Sequence, residues 1–413
     1  MLDIPKIDQA RLEAFAARAI GDLTAGYTGV MVSLGSKLGL YKAMAGAGPL
    51  SAKEIATRAD CSERYVAEWL NAQAAGGYIA YHGVSNTYEL LPEQAMVLAD
   101  EDSPVYVPHA WNVPASMWFD EAKSLEAFRT GKGVAWGEHD GRLSCGSAAF
   151  YRNGYRAALV PQWLPALDGV VDQLEAGIAV ADVGCGYGHS TLLMAQAFPN
   201  SRFHGFDTHP GSLDEARRNA EAARVADRID YALARADDYT DGQYGLICFF
   251  DILHDLGDPV AAARHAARTL APGGTVLLVE PFAHDHVKDN LSPVAQLYYS
   301  ASTVICTAHA ISEGGQMVLG AQAGQARLAE VFRKAGFTHF RRAAARTLRC
   351  TAQGHRPDTI RHRTRRARPD DHPRSLTTPA DPTIRDVARR KTRAASAFAR
   401  EGRAMTPVFP STT

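Results

Sequence analysis

Nowhere in the 413 residues is there an uninterrupted apolar run of the roughly 18 residues that a membrane-spanning helix requires. The most apolar strand candidate, Leu246 to Phe250, runs straight into Asp251, so no membrane partner is expected. The opening residues MLDIPKIDQARLEAF mix charged and apolar side chains and lack the basic head and apolar core of a secretory signal, which points to the cytoplasm. Cysteine is sparse: Cys61, Cys145, Cys185, Cys248, Cys306 and Cys350 form no CxxC pair and no Cys/His ligand spacing. That pattern argues against a zinc site and a disulfide framework, and no metal is expected. Internal repeats are also lacking.

What remains is a chain with 46% hydrophobic residues, enough for two ordinary domains with separate cores. The formal net charge of -1 hides two regions. From Arg346 onward there are sixteen Lys and Arg against six Asp and Glu, whereas the preceding part holds 28 against 39.

Residues from about Ala10 to Ala45 carry helical apolar spacing (Leu12, Phe15, Ala16, Ala19, Ile20, Leu23), which predicts packed helices. Ser51 with Glu54 three residues on has the form of a capping box, and a second helix is expected from Ser62 to Gly76-Gly77. YIAYHG and NTYEL then flank Val84-Ser85-Asn86 as a hairpin. Helix, turn, helix and hairpin make a winged-helix pattern over 1–105. Between Ser51 and Asp100, however, three basic residues face seven acids, the opposite of what phosphate binding needs. A packing or dimerisation module is the reading favoured over a nucleic-acid binder.

A helical linker is expected over 106–165, rich in aromatics. Trp111, Trp118, Trp136, Tyr151 and Tyr155 are candidates for a pocket wall or for interdomain core. Beyond it, IAVADVG, RFHGFD, IDYALARAD, GLICFFD and TVLLVEP alternate with amphipathic helical stretches. This α/β alternation predicts a Rossmann-like, doubly wound, mostly parallel sheet. Ligands bind such sheets at the carboxyl ends of the strands, where strand order reverses. VADVGCGYGHS puts Gly184, Gly186 and Gly188 there, before a helix N-terminus. The spacing is GxGxG, and His189 stands where a dinucleotide fingerprint would have its third glycine. Asp182 precedes the glycines, and Asp207 closes the second strand where a carboxylate accepts hydrogen bonds from ribose hydroxyls. An adenosine ligand without a pyrophosphate fits best.

In VADVGCGYG, RFHGFD, RADD, ICFFDILHDLGDP and LAPGGTVLLVEP, the chain resembles class I S-adenosylmethionine-dependent methyltransferases. LGLYKAMAGAGPLS, ERYVAEWL and LYYSASTVICTAHAISEGG extend the likeness to a bacterial small-molecule group with an N-terminal winged-helix-like domain. The resemblance implies S-adenosylmethionine as cofactor, bound by Asp182, Gly184, Gly186, Gly188, Asp207 and Phe250, with the adenine near Asp237 and Asp238. It also implies a homodimer.

Methyl transfer from a sulfonium needs an aligned acceptor with a free lone pair, and a hydroxyl acceptor usually needs a base. FFDILHDLGDP resembles the segment that carries the catalytic histidine of small-molecule O-methyltransferases, with Leu256 in place of the usual Trp. His254 is the candidate base, oriented by Asp255 or Asp251, with His284 and His286 as further candidates. Tyr298, Tyr299, Ser302 and Cys306 are expected either in a lid or in helix packing against the N-terminal domain. The expected function is methyl transfer to a small molecule, probably at oxygen. A transcriptional regulator that senses the cofactor is the alternative.

The catalytic domain is bounded at 166–345. After GFTHFRRAA a final apolar strand should close the sheet, but ARTLRCTAQGH lacks the apolar run. Residues 346–413 are therefore expected to be a basic region of low order, explained by a shifted reading frame or by an arm for nucleic acid or an acidic partner.

Overall fold

The computed structural model describes the backbone of residues 7–346 and 349–355, and side chains over 7–343. Of the expected basic tail at 346–413, residues 347–348 and 356–413 lie outside the described residues.

The N-terminal part opens with the long helix α1 (Gln9–Lys37), capped by the Asp8 carboxylate, followed by α2 (Leu40–Met44). Helices α3 (Ala52–Arg58) and α4 (Glu63–Ala75) come next, and the Ser51/Glu54 capping box is present in both directions. Strands β1 (Ala80–His82) and β2 (Thr87–Glu89) pair antiparallel across the expected turn, and α5 (Pro92–Leu98) completes the winged helix-turn-helix. Val66, Trp69 and Leu70 of α4 are buried against Tyr41, Met44, Ile55 and Tyr88. Each apolar side chain so enclosed contributes about 1.5–3 kcal/mol relative to exposure.

One expectation fails here. The α1 positions expected to pack, Leu12, Phe15, Ile20 and Leu23, are exposed, and only Gly29, Val32 and Gly35 of that helix are buried. The helical period is right, but among the described residues nothing packs against the first five turns.

Helices α6 (Asn112–Phe119), α7 (Glu121–Thr130) and α8 (Arg142–Ala158) lead through α9 (Val170–Ala176) to the sheet. Its strands are β3 (Ala179–Val183), β4 (Arg202–Asp207), β5 (Ile229–Leu233), β6 (Tyr244–Phe250), β7 (Leu270–Pro281), β8 (His339–Arg346) and β9 (Arg349–His355). Helices α10 (His189–Ala197), α11 (Pro210–Ala222), α12 (Pro259–Thr269), α13 (Pro293–Val304), α14 (Cys306–Ser312) and α15 (Gly324–Lys334) connect them. The order is β5-β4-β3-β6-β7-β9-β8: parallel from β5 to β7, with β9 and β8 antiparallel. Alternate residues serve opposite faces. Val180, Phe203 and Leu246 join one buried cluster, and Ala181, Phe206 and Ile247 the other.

The expected break in the sheet is corrected by β9. Despite its polar sequence, Arg349–His355 pairs with β7 on one side and β8 on the other. A strand between two others satisfies backbone N–H and C=O groups on both edges, and that ladder does not require an apolar run.

Candidate functional site

The sheet reverses order between β3 and β6, and a cleft of about 1210 Å³, counting its open mouth, lies beyond their carboxyl ends. Gly184, Gly186 and Gly188 all take left-handed φ, at 73°, 53° and 72°. Their reasons differ. A Cβ on Gly184 would lie 1.9 Å from Ile252 Cδ1, and one on Gly188 would lie 2.3 Å from the Tyr231 hydroxyl. At Gly186 a Cβ would meet nothing within 4 Å, so the bare edge of the turn at 186 faces open space.

Asp207 stands beside that edge. One carboxylate oxygen accepts the Gly186 N–H at 2.9 Å and the other accepts the His209 N–H at 2.8 Å. Burial pushes its carboxyl pKa up, and the two backbone donors oppose this. Phe250, at the end of β6, walls the cleft with Tyr155, their ring centroids 5.5 Å apart. Trp136, Tyr151 and Tyr155 of the expected aromatic set line the cleft. Trp111 instead covers Gly29 of α1, and Trp118 is exposed.

The two acids after β5 are separated. Asp237 lines the cleft and pairs with Arg235 at 3.0 Å, while Asp238 accepts the Arg235 N–H and borders a neighbouring shallow cavity. Asp182 is buried under the turn and does not line the cleft. Its Oδ2 accepts hydroxyls from Ser190 at 2.6 Å and Thr191 at 2.5 Å, fastening α10 to β3, and burial raises its pKa to about 6. Gly188 likewise lies behind the lining, whereas His189 lines it. Burial, with Arg152 nearby, lowers the His189 pKa to about 4, so its ring is neutral at pH 7.

His254 sits behind the cleft wall, 4% exposed, with both ring nitrogens engaged. Nδ1 meets the Glu280 carboxylate and Nε2 lies 3.1 Å from Asp255 Oδ1. Burial disfavours its charged form, but the Asp255 and Glu280 carboxylates outweigh burial and hold its pKa well above the usual imidazole value. Both ring nitrogens thus face carboxylates, and neither opens onto the cleft. Asp255 is the member that lines the cleft; burial pushes its pKa up, but the His254 charge and hydrogen bond prevail and lower it. Glu280, which also accepts the Leu253 N–H at 3.0 Å, was not legible as a partner because 25 residues separate it from Asp255. His284 and His286 lie on an exposed loop, away from the cleft.

The helices after β7 do reach the cleft, but through His309 and Glu313. Tyr298, Ser302 and Cys306 are buried, and Tyr299 is half-buried. The loop before α8 crosses to α14 as a strap: Val134 N–H donates to Ala308 O at 3.0 Å and Trp136 N–H to His309 Nδ1 at 3.2 Å.

A bare backbone edge beside a carboxylate, at the switch point of this sheet, fits an adenosyl cofactor, and the fold and site define a class I S-adenosylmethionine-dependent methyltransferase domain. Comparison with known proteins agrees. Residues 180–274 match the model described as methyltransferase domain, and residues 26–100 match the Rv2258c-like winged HTH domain. A trans-aconitate 2-methyltransferase of Methylobacterium radiotolerans is 37% identical over 109 residues, 26% of this chain and 40% of the relative. The matches thus span about two fifths of the length of the first curated relatives. An O-methyltransferase family protein from Burkholderia thailandensis superposes with a TM-score of 0.62 at 17% identity, covering 86% of this chain and 99% of that one. An O-methyltransferase from neocarzinostatin biosynthesis, solved with S-adenosylmethionine and 2-hydroxy-5-methyl naphthoic acid, gives 0.56 at 19% identity, covering 85% and 99%.

Proposed function

We propose that the protein transfers a methyl group from S-adenosylmethionine to a hydroxyl oxygen of a small, aromatic acceptor. The observation that carries this reading is one continuous cleft that takes in the glycine edge with Asp207 and, past Phe250, the Asp255 carboxylate walled by Trp136, Tyr151 and Tyr155. Asp207 would hold the ribose hydroxyls, Gly184 and Gly186 would pass bare backbone along the cofactor, and Asp237 would face the adenine. Asp182, Gly188 and Asp238 would act from behind by fixing the turns.

When bound, the cofactor supplies an electrophilic methyl on a good leaving group. The chain's own task is alignment and proton removal. Asp255 accepts a hydrogen bond from the acceptor hydroxyl, which turns an oxygen lone pair toward the methyl. That proton becomes strongly acidic only as the new O–C bond forms, so a carboxylate suffices to take it. His254 is then a positioning residue, clamped by Glu280, and not the base.

The exposed apolar stripe of α1 supports a homodimer through the N-terminal part, and five described free cysteines support a reducing, cytoplasmic setting. Among the described residues no helix is long and apolar enough to cross a membrane. The regulator reading is not favoured, because α4 buries its apolar face and its one arginine, Arg64, is paired with Glu68 at 2.7 Å.

Calorimetric titration with S-adenosylhomocysteine and, separately, NAD tests the cofactor. Micromolar binding of the first alone is expected, weakened at least about tenfold in Asp207→Ala. Binding of NAD in its place would overturn the reading.

A further inference from the structure

Three side chains of different ligand chemistry converge in the wall of the cleft. His254 Nε2, Asp255 Oδ1 and Cys306 Sγ all lie within 4.8 Å of one another, a separation that one small cation can bridge. His254 and Asp255 stand on the short turn after β6, and Cys306 is the first residue of α14. No Cys/His spacing marks this set, because it is the fold that brings Cys306 to the pair.

Two observations set the cluster apart from an ordinary polar contact. Asp255 Oδ1 is buried, and although Nε2 lies 3.1 Å away, it finds no well-aligned hydrogen-bond donor there. A buried oxygen left so is costly unless something else meets it. Behind the cluster, the Glu280 carboxylate engages His254 Nδ1. A carboxylate on the far nitrogen is how a metal-binding histidine is oriented, with Nε2 left to face the ion. A cation entering between Nε2 and Oδ1 displaces any proton held there.

From this convergence we propose that His254, Asp255 and Cys306 form a site for a divalent transition metal of the zinc class. One imidazole nitrogen, one carboxylate oxygen and one thiolate suit Zn²⁺ or Co²⁺, whereas Mg²⁺ and Ca²⁺ take oxygen ligands. Asp255 lines the cleft, which gives the ion a way in, and its Oδ2 is left for the acceptor hydroxyl. The ion ties α14 to the turn after β6 and so fixes the wall on which Asp255 stands. Metal binding is independent of the methyltransferase reading; its bearing on the acceptor rests on that reading.

The test uses the full chain, reduced and stripped of metal with a chelator. S-adenosylhomocysteine binding is measured first, so that failure of the cofactor reading is seen separately. Calorimetry with Zn²⁺ is expected to give one site of micromolar affinity or tighter, with no competition from Mg²⁺. Co²⁺ should add the visible bands of a four-coordinate ion and a near-ultraviolet thiolate-to-cobalt band. Cys306→Ser should abolish the thiolate band and weaken Zn²⁺ at least about tenfold, with S-adenosylhomocysteine affinity within a few fold as the check on folding. Cys145→Ser and Cys350→Ser should leave the band unchanged, which identifies the thiolate even where Cys306→Ser does not fold. No Zn²⁺ binding, Co²⁺ binding without a thiolate band, or a band that survives in Cys306→Ser or is lost in either control, would overturn the proposal.

Discussion

Asp182 and His254 carry opposite electrostatic signatures at the residue scale, and each has a distinct pH dependence. The folded-state pKa of Asp182 is raised to about 6, so between pH 4 and pH 6 the unfolded chain releases a proton that the folded chain keeps. Stability therefore falls as pH rises through that window. Asp182→Asn should remove the slope and recover up to about 3 kcal/mol at pH 7, as measured by urea melts at several pH values. For His254 the folded pKa is also raised, so its contribution is complete below about pH 6.5 and is lost as pH rises through the folded value. Asp255 is depressed, and its contribution is lost on the acid side. His254→Gln should flatten the alkaline limb and cost about 3–5 kcal/mol on the plateau, because two buried carboxylates lose their shared partner. Melts that keep an alkaline fall of wild-type size in the variant would contradict this assignment.

Single residues were also where sequence reading was least complete. The placement of Asp207 and of the glycine turn at the strand ends was legible, since a GxGxG turn with an acid at the end of the next strand is a local pattern with a physical reason. The role of Asp182 was not, because whether an acid faces a ligand or a hydroxyl pair depends on where Ser190 and Thr191 point. The same holds for His254. Its position after β6 was readable, but Glu280, which engages its other nitrogen, comes from a different strand and leaves no mark on the spacing.

Elements were legible wherever one period governed them. The capping box at Ser51, the hairpin at 80–89 and the five parallel strands lie where alternation and turn residues put them. The strap over the cleft was not, since its structure comes from contacts with α14 across the chain. Gly133 is its tightest point: a Cβ there would lie 2.1 Å from Ala308 O and 2.2 Å from Ser312 N, both backbone atoms that cannot swing aside. Gly133→Ala should therefore lift the strap from α14. We expect an acceptor KM raised about tenfold or more, with S-adenosylhomocysteine affinity changed much less, because Asp207 and Gly186 lie on the sheet side. Steady-state kinetics with calorimetry on the same variant separates the two effects.

Among the described residues, α1 leaves a long apolar surface that the fold does not cover. From Leu12 to Leu34, α1 presents Leu12, Phe15, Ile20, Leu23, Tyr27 and Leu34 to solvent. Isolated apolar side chains on a surface are ordinary, whereas a stripe of six along one helix marks an interaction face. A second copy is the occupant we expect. Sedimentation should give a dimer for the native chain and a monomer for Leu23→Asp/Tyr27→Asp, with the thermal transition moving down because dimerisation stabilises by mass action. A native monomer at tens of micromolar would refute it.

The sheet's strand order also sets a timetable. β9 is the last described strand in the chain, yet it lies between β7 and β8. During synthesis β8 emerges first and has no seat, because its neighbour has not yet been made. Until His355 clears the ribosome, the far edge of β7, with Val276 to Val279 at its centre, is an open row of backbone donors and acceptors. Such an edge is a template for pairing with other chains. The candidate cleft is bordered by β3, β4 and β6, which precede that moment. A chain that folds as it emerges would pass through a stage with its cleft formed and its edge unguarded, and the seven residues of β9 close that edge.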